Sequence, residues 1–118
     1  MQIVAQELRD LAAVLADWCT PAPAATLFLF GSRVRGDHRP DSDVDIFIQW
    51  GKVTRETAEW WAAQNSEDFA SLKAKLPGPL KILDNNAPIV PSIMKAEVVY
   101  QDRNVVCVLL PPKFGYCK

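Results

Sequence analysis

Between Thr26 and Ile48 the chain reads TLFLFGSRVRGDHRPDSDVDIFI, and most of its chemically useful side chains fall there. An apolar run, Leu27 to Phe30, ends in Gly31-Ser32. After ten intervening residues comes Asp43-Val44-Asp45, opening a second apolar run, Ile46 to Ile48. The pattern predicts strand, glycine turn, short helix start, loop and strand. Asp43 and Asp45 are two apart, so on a strand both carboxylates point to one face. Like charges held together repel unless a cation lies between them. Mg²⁺ is suited to that place, being a hard ion that takes carboxylate and phosphate oxygens. Gly31 allows a sharp turn and a close approach of phosphate to the backbone. Ser32 is predicted to cap the short helix and to donate its hydroxyl to a phosphate oxygen, while the free N–H groups of a helix start favour an anion. Together they suit a metal–triphosphate complex. Taken separately they have plainer readings: a tight turn with a serine cap, and an acidic loop facing water.

Around the turn lie Arg33, Arg35, His38 and Arg39. Arginine donates two parallel hydrogen bonds from a planar fork, which suits phosphate, and Arg33 is the candidate contact. The alternative is a solvent-facing set balancing Asp37, Asp41 and Asp43. His38, the only histidine, is expected at the surface. One histidine and three scattered cysteines do not make a zinc site.

Gly31, Ser32, Asp43 and Asp45, with Arg33 and Gly36 in G-S-x-x-x-G form, resemble the signature of the nucleotidyltransferase superfamily that includes DNA polymerase β. More closely they resemble its minimal nucleotidyltransferases. The specific likeness covers roughly residues 25 to 50, and a looser match of element order runs to about residue 100. The resemblance implies an α/β (α+β) fold, a small mixed β-sheet flanked by helices. It implies a Mg²⁺-dependent enzyme moving a nucleoside monophosphate, AMP from ATP, to an acceptor hydroxyl. In that reading Asp43 and Asp45 are catalytic and bind metal, following two-metal logic, and Gly31, Ser32 and Arg33 bind the nucleotide. Minimal nucleotidyltransferases are often antitoxins paired with an all-helical HEPN-domain ribonuclease toxin, which they silence by attaching AMP to a tyrosine. A partner of that kind would supply the acceptor.

The resemblance also implies a third carboxylate on a later strand, facing the D-x-D pair. The matching position in Leu80-Lys81-Ile82-Leu83 is Lys81. Asp84, three residues on, points to the opposite face by alternation and can serve only if a bulge or the strand end re-aims it. With Lys81 in the third place, a second metal is weakened and the rate falls by on the order of 10²–10⁴. The competing function is then a catalytically degenerate module that neutralises its partner by contact. Nucleotidylation of RNA or an antibiotic is disfavoured, because no substrate domain accompanies the motif.

These residues need a scaffold. Ile3, Val4, Leu8, Leu11, Ala12, Leu15 and Trp18 recur at helical spacing over residues 2 to 18. Val44 to Trp50 is the second strand. Thr54 is the expected cap of a long helix to about Lys75, with Ala58, Trp61, Ala62, Phe69, Leu72 and Leu76 on its inner face and a candidate interruption at Asn65-Ser66. Pro77-Gly78-Pro79 is a stop before the third strand. Ser92 is the expected cap of a short helix, and Val98–Tyr100 with Val105–Leu110 reads as a hairpin, the alternative for Val98–Tyr100 being the end of that helix. Trp60 and Trp61 sit about 100° apart on a helix, so one of them is expected at a rim or contact surface. The chain of 118 residues is expected as a single nucleotidyltransferase domain, residues 1–118, with 110–118 as a loose tail. Thirteen basic against fourteen acidic residues give a net charge of −1, which argues against strong nucleic-acid binding. No secretory signal or bilayer-length apolar run is present, and the cysteines lack paired spacing, so a reduced cytoplasmic setting is expected.

Overall fold

The computed structural model describes residues 4–22 and 24–110. The expected loose tail therefore lies almost wholly outside the described residues. The helical spacing near the start becomes α1 (Gln6–Cys19), which buries Leu8, Leu11, Ala12, Leu15, Ala16 and Cys19. Next come β1 (Ala25–Phe30), α2 (Ser32–Arg35), β2 (Val44–Trp50), α3 (Arg55–Ser66), α4 (Ala70–Lys73), β3 (Leu80–Ile82), α5 (Val90–Lys95), β4 (Glu97–Asp102) and β5 (Val105–Leu109).

The strands form one mixed sheet in the order β3-β2-β1-β5-β4. β1 runs antiparallel to β2 and parallel to β5, β2 runs parallel to β3, and β4 runs antiparallel to β5. β1 and β2 lie inside this order and are buried on both faces, which is why they read as continuous apolar runs rather than alternating ones. One face carries Leu27, Leu29, Val44, Ile46 and Ile48 against α1 and Leu72 of α4. The other carries Phe28, Phe30 and Phe47 with Val108, packed against Ile93 of α5 and Leu83 and Ile89 beside it. The expected small mixed α/β fold is what forms, and among the described residues no helix is long and apolar enough to cross a membrane.

Three local expectations change. The helix after Thr54 is capped as read, with Thr54 Oγ1 accepting from the Thr57 N–H at 3.2 Å, but it breaks after Ser66. Asp68 and Phe69 take left-handed backbone angles (φ 53° and 56°), so the chain restarts as α4 on a new heading. The inner face of α3 is consequently Thr57, Trp60, Trp61 and Gln64, the i, i+3, i+4, i+7 set, while Ala58 and Ala62 are exposed. Both tryptophans are half-buried in one aromatic cluster: Trp18–Trp60 ring centres lie 4.8 Å apart, Trp50–Trp61 and Trp61–Phe69 5.4 Å. Neither stands alone at a rim. The short helix starts at Val90, ahead of Ser92, with Pro91 in its first turn where a missing N–H costs nothing.

Candidate active site

The two halves of the motif meet because β1 and β2 are antiparallel. Phe30, the last residue of β1, pairs with Asp45, so the Gly31 turn at the end of one strand lies beside the start of the next. Asp45 and Phe47 share the α5-side face of the sheet, and Asp43 sits just ahead of β2 rather than within it.

Gly31 has φ +90° and ψ −159°, a backbone region open essentially to glycine alone. A methyl group there would also collide with the Asp45 carboxylate. Glycine is thus required twice, for the turn and for the carboxylate that lies against it. Gly31 also takes the cap position of α2, and Ser32 is the first residue inside the helix, with no side-chain cap bond. The Val34 and Arg35 N–H groups return to the Gly31 carbonyl at 3.1 and 3.2 Å, which leaves those of Ser32 and Arg33 without a partner inside the helix. Gly31→Ala is expected to cost about 2 kcal/mol of stability from backbone strain alone, with displacement of Asp45 added. Thermal unfolding of the variant against the parent measures it.

Asp45 is only 3% exposed, and its Oδ1 is buried without a hydrogen-bond partner. Burial pushes its carboxyl up from 3.8 to about 6; Lys81 opposes that shift, Asp43 adds to it, and Arg35 opposes it. A buried acceptor with nothing to accept from is a costly arrangement. A hard divalent cation held by Asp45 and Asp43 satisfies it, so these residues fit a metal ion of the Mg²⁺ type.

Lys81 and Asp45 are register partners across the parallel β2–β3 pair. Leu80 and Ile82 pack toward the α1-side core, which puts Lys81 on the other face, that of Asp45. Asp84 does not join them. β3 ends at Ile82, and the Asp84 carboxylate accepts the Asn86 N–H at 2.7 Å in a turn closed by Ala87 N–H to the Asp84 carbonyl at 3.0 Å. Among the described residues no group of three His, Cys, Asp or Glu side chains comes together.

Arg33 goes elsewhere. Its side chain is 3% exposed and donates to the carbonyls of the loop before the acidic pair: Ser42 O at 2.9 and 3.2 Å and Pro40 O at 3.0 Å, with Glu7 at 3.8 Å. In this arrangement the guanidinium is a peg under the loop. Arg35 forks onto Asp37 at 3.1 Å through two nitrogens. His38 is half-buried rather than at the surface, its Nε2 bonded to Glu7 Oε1. Nothing in the sequence pointed to Glu7, because it lies on α1, 31 residues from His38. A cleft of about 500 Å³ behind α2, lined among others by Glu7, His38, Val99 and Leu109, does not include Asp45.

The family model for a nucleotidyltransferase domain matches residues 11–98, well over half of the chain and including Gly31, Ser32, Asp43, Asp45 and Lys81. No curated protein and no solved structure matches it. With the sheet, the glycine turn and the acidic pair placed as above, the family match settles the assignment: the chain belongs to the nucleotidyltransferase domain family of the DNA polymerase β superfamily.

Proposed function

We propose that this protein binds ATP with Mg²⁺ at the Gly31 turn and the Asp43–Asp45 pair, and transfers AMP to a hydroxyl on a partner protein. The acceptor oxygen forms a bond to the α-phosphorus, the bond to the β-phosphate bridge breaks, and pyrophosphate and a proton leave. The observation that carries the reading is the buried Asp45 carboxylate, its Oδ1 unpartnered and its Oδ2 lying against a glycine that admits no side chain. Bound metal would supply charge to the triphosphate; the chain's own residues hold and orient it. Gly31 keeps the backbone low, Ser32 and Arg33 offer N–H groups, and Arg33 fixes the loop that delivers Asp43.

The partner is a HEPN-type toxin, and the setting an antitoxin role in the cytoplasm, as in the minimal nucleotidyltransferases the motif resembles. A second reading, neutralisation of the partner by contact alone, draws on Lys81, a cation where a third carboxylate was expected. Calorimetric titration of ATP with and without Mg²⁺ tests the site. Metal-dependent binding is expected, with loss in Asp43→Asn and Asp45→Asn. Absence of binding by folded parent protein overturns the transferase reading in favour of contact.

A further inference from the structure

Asp45 of the D-x-D pair shares its sheet face with a lysine, and that juxtaposition bears on how many metal ions the site takes. Two cations held about 3.5–4 Å apart need carboxylates that bridge them and further oxygen donors for each. Here two carboxylates converge, and among the described residues no third His, Cys, Asp or Glu joins them. The neighbour in register with Asp45 is Lys81, which carries three donors and no lone pair. Its side chain cannot ligate a cation.

We propose that Lys81 is a fixed substitute for a second metal ion, so that the site accepts one divalent cation, the one accompanying the triphosphate. The inference rests on the nucleotide-binding reading above and sharpens it. An ammonium supplies charge beside the phosphates without depending on free metal concentration. It does not coordinate an acceptor hydroxyl as a metal would, so it cannot lower that hydroxyl's pKa by ligation. Binding is then retained while transfer is slowed.

Lys81 is solvent-exposed on a three-residue strand, so replacing it leaves the core intact. The test is Mn²⁺ stoichiometry by electron paramagnetic resonance, in the presence of α,β-methylene-ATP, which binds without reacting. The parent protein is expected to hold one Mn²⁺ per chain, Lys81→Asp two, and Lys81→Gln one, with affinity several-fold tighter because the repelling charge is gone. Two Mn²⁺ on the parent with nucleotide bound overturn this inference and leave the proposed function standing. So does a single Mn²⁺ on folded Lys81→Asp, or unchanged affinity in Lys81→Gln. Failure of the folded parent to bind either Mn²⁺ or nucleotide overturns the proposed function and this inference with it.

Discussion

Asp45→Asn is expected to raise the stability of the metal-free protein by about 1–3 kcal/mol at pH 7.5 while abolishing its metal-dependent nucleotide binding. The magnitude follows from a carboxyl pushed from 3.8 to about 6 by burial, at about 1.4 kcal/mol per pH unit, less whatever the new amide leaves unpaired. The sign follows from proton counting. Between pH 3.8 and about 6 the native state keeps a proton that the unfolded chain has lost, so stability falls as pH rises through that window. Above about 6 both states are charged, and the full penalty stays in the native protein. Below 3.8 both are protonated and the penalty is absent. The stability gap between variant and parent should therefore be widest near neutrality and close toward pH 4. Urea unfolding in EDTA at pH 7.5, 6 and 4.5 measures it. Mg²⁺–ATP at 1,000 times its Kd should reverse the order, since it stabilises only the parent, by about 4.1 kcal/mol. A variant less stable than the parent at pH 7.5 would make Asp45 a structural carboxylate.

That cost is consistent with a residue kept for what it binds rather than for the fold. Ionised groups without partners are seldom buried, and this one lies in an interior strand, between Val44 and Ile46, both fully buried. Gly31 adds a second strained element at the same point. Local cost concentrated where two strand ends meet is the pattern expected of functional positions.

What could be read from the sequence was what local rules govern. Val44–Trp50 was identified end to end because Gly51-Lys52 closes a continuous apolar run, and Thr54 was identified as a cap because its hydroxyl answers an N–H three residues on. Lys81 beside Asp45 was implied by the family resemblance rather than by local rules, and the β2–β3 register puts it there. Long-range choices were not legible. Arginine beside a glycine-serine turn has the same types and spacing whether it faces phosphate or loop carbonyls, and only the path of residues 39–42 decides. Glu7 reaches His38 from another element entirely. The left-handed pair Asp68-Phe69 carries no glycine to announce it, and it brings the Phe69 ring against Trp18 and Trp61, elements the local sequence does not join.

Arg33→Lys should lower stability by about 2–3 kcal/mol with no nucleotide present, as large an effect as any single polar change in this chain. The guanidinium reaches two loop carbonyls at once, Ser42 through both Nε and Nη2 and Pro40 through Nη2. An ammonium on a flexible stem cannot reproduce that fork, and hydrogen bonds from charged donors are worth about 1.5–3 kcal/mol each when one side is left unpaired. Packing makes the site unforgiving as well. A methyl group on Gly78 would lie 2.8 Å from Arg33 Nη2, so the corner formed by α2, the 39–42 loop and the turn before β3 leaves no room for a displaced side chain. Loosening it frees the residues leading into Asp43, so metal-dependent ATP binding should weaken in step with stability and recover in part at low temperature. Urea unfolding without nucleotide separates this from direct contact. An Arg33→Lys protein as stable as the parent, yet binding ATP at least tenfold more weakly, would return Arg33 to the triphosphate.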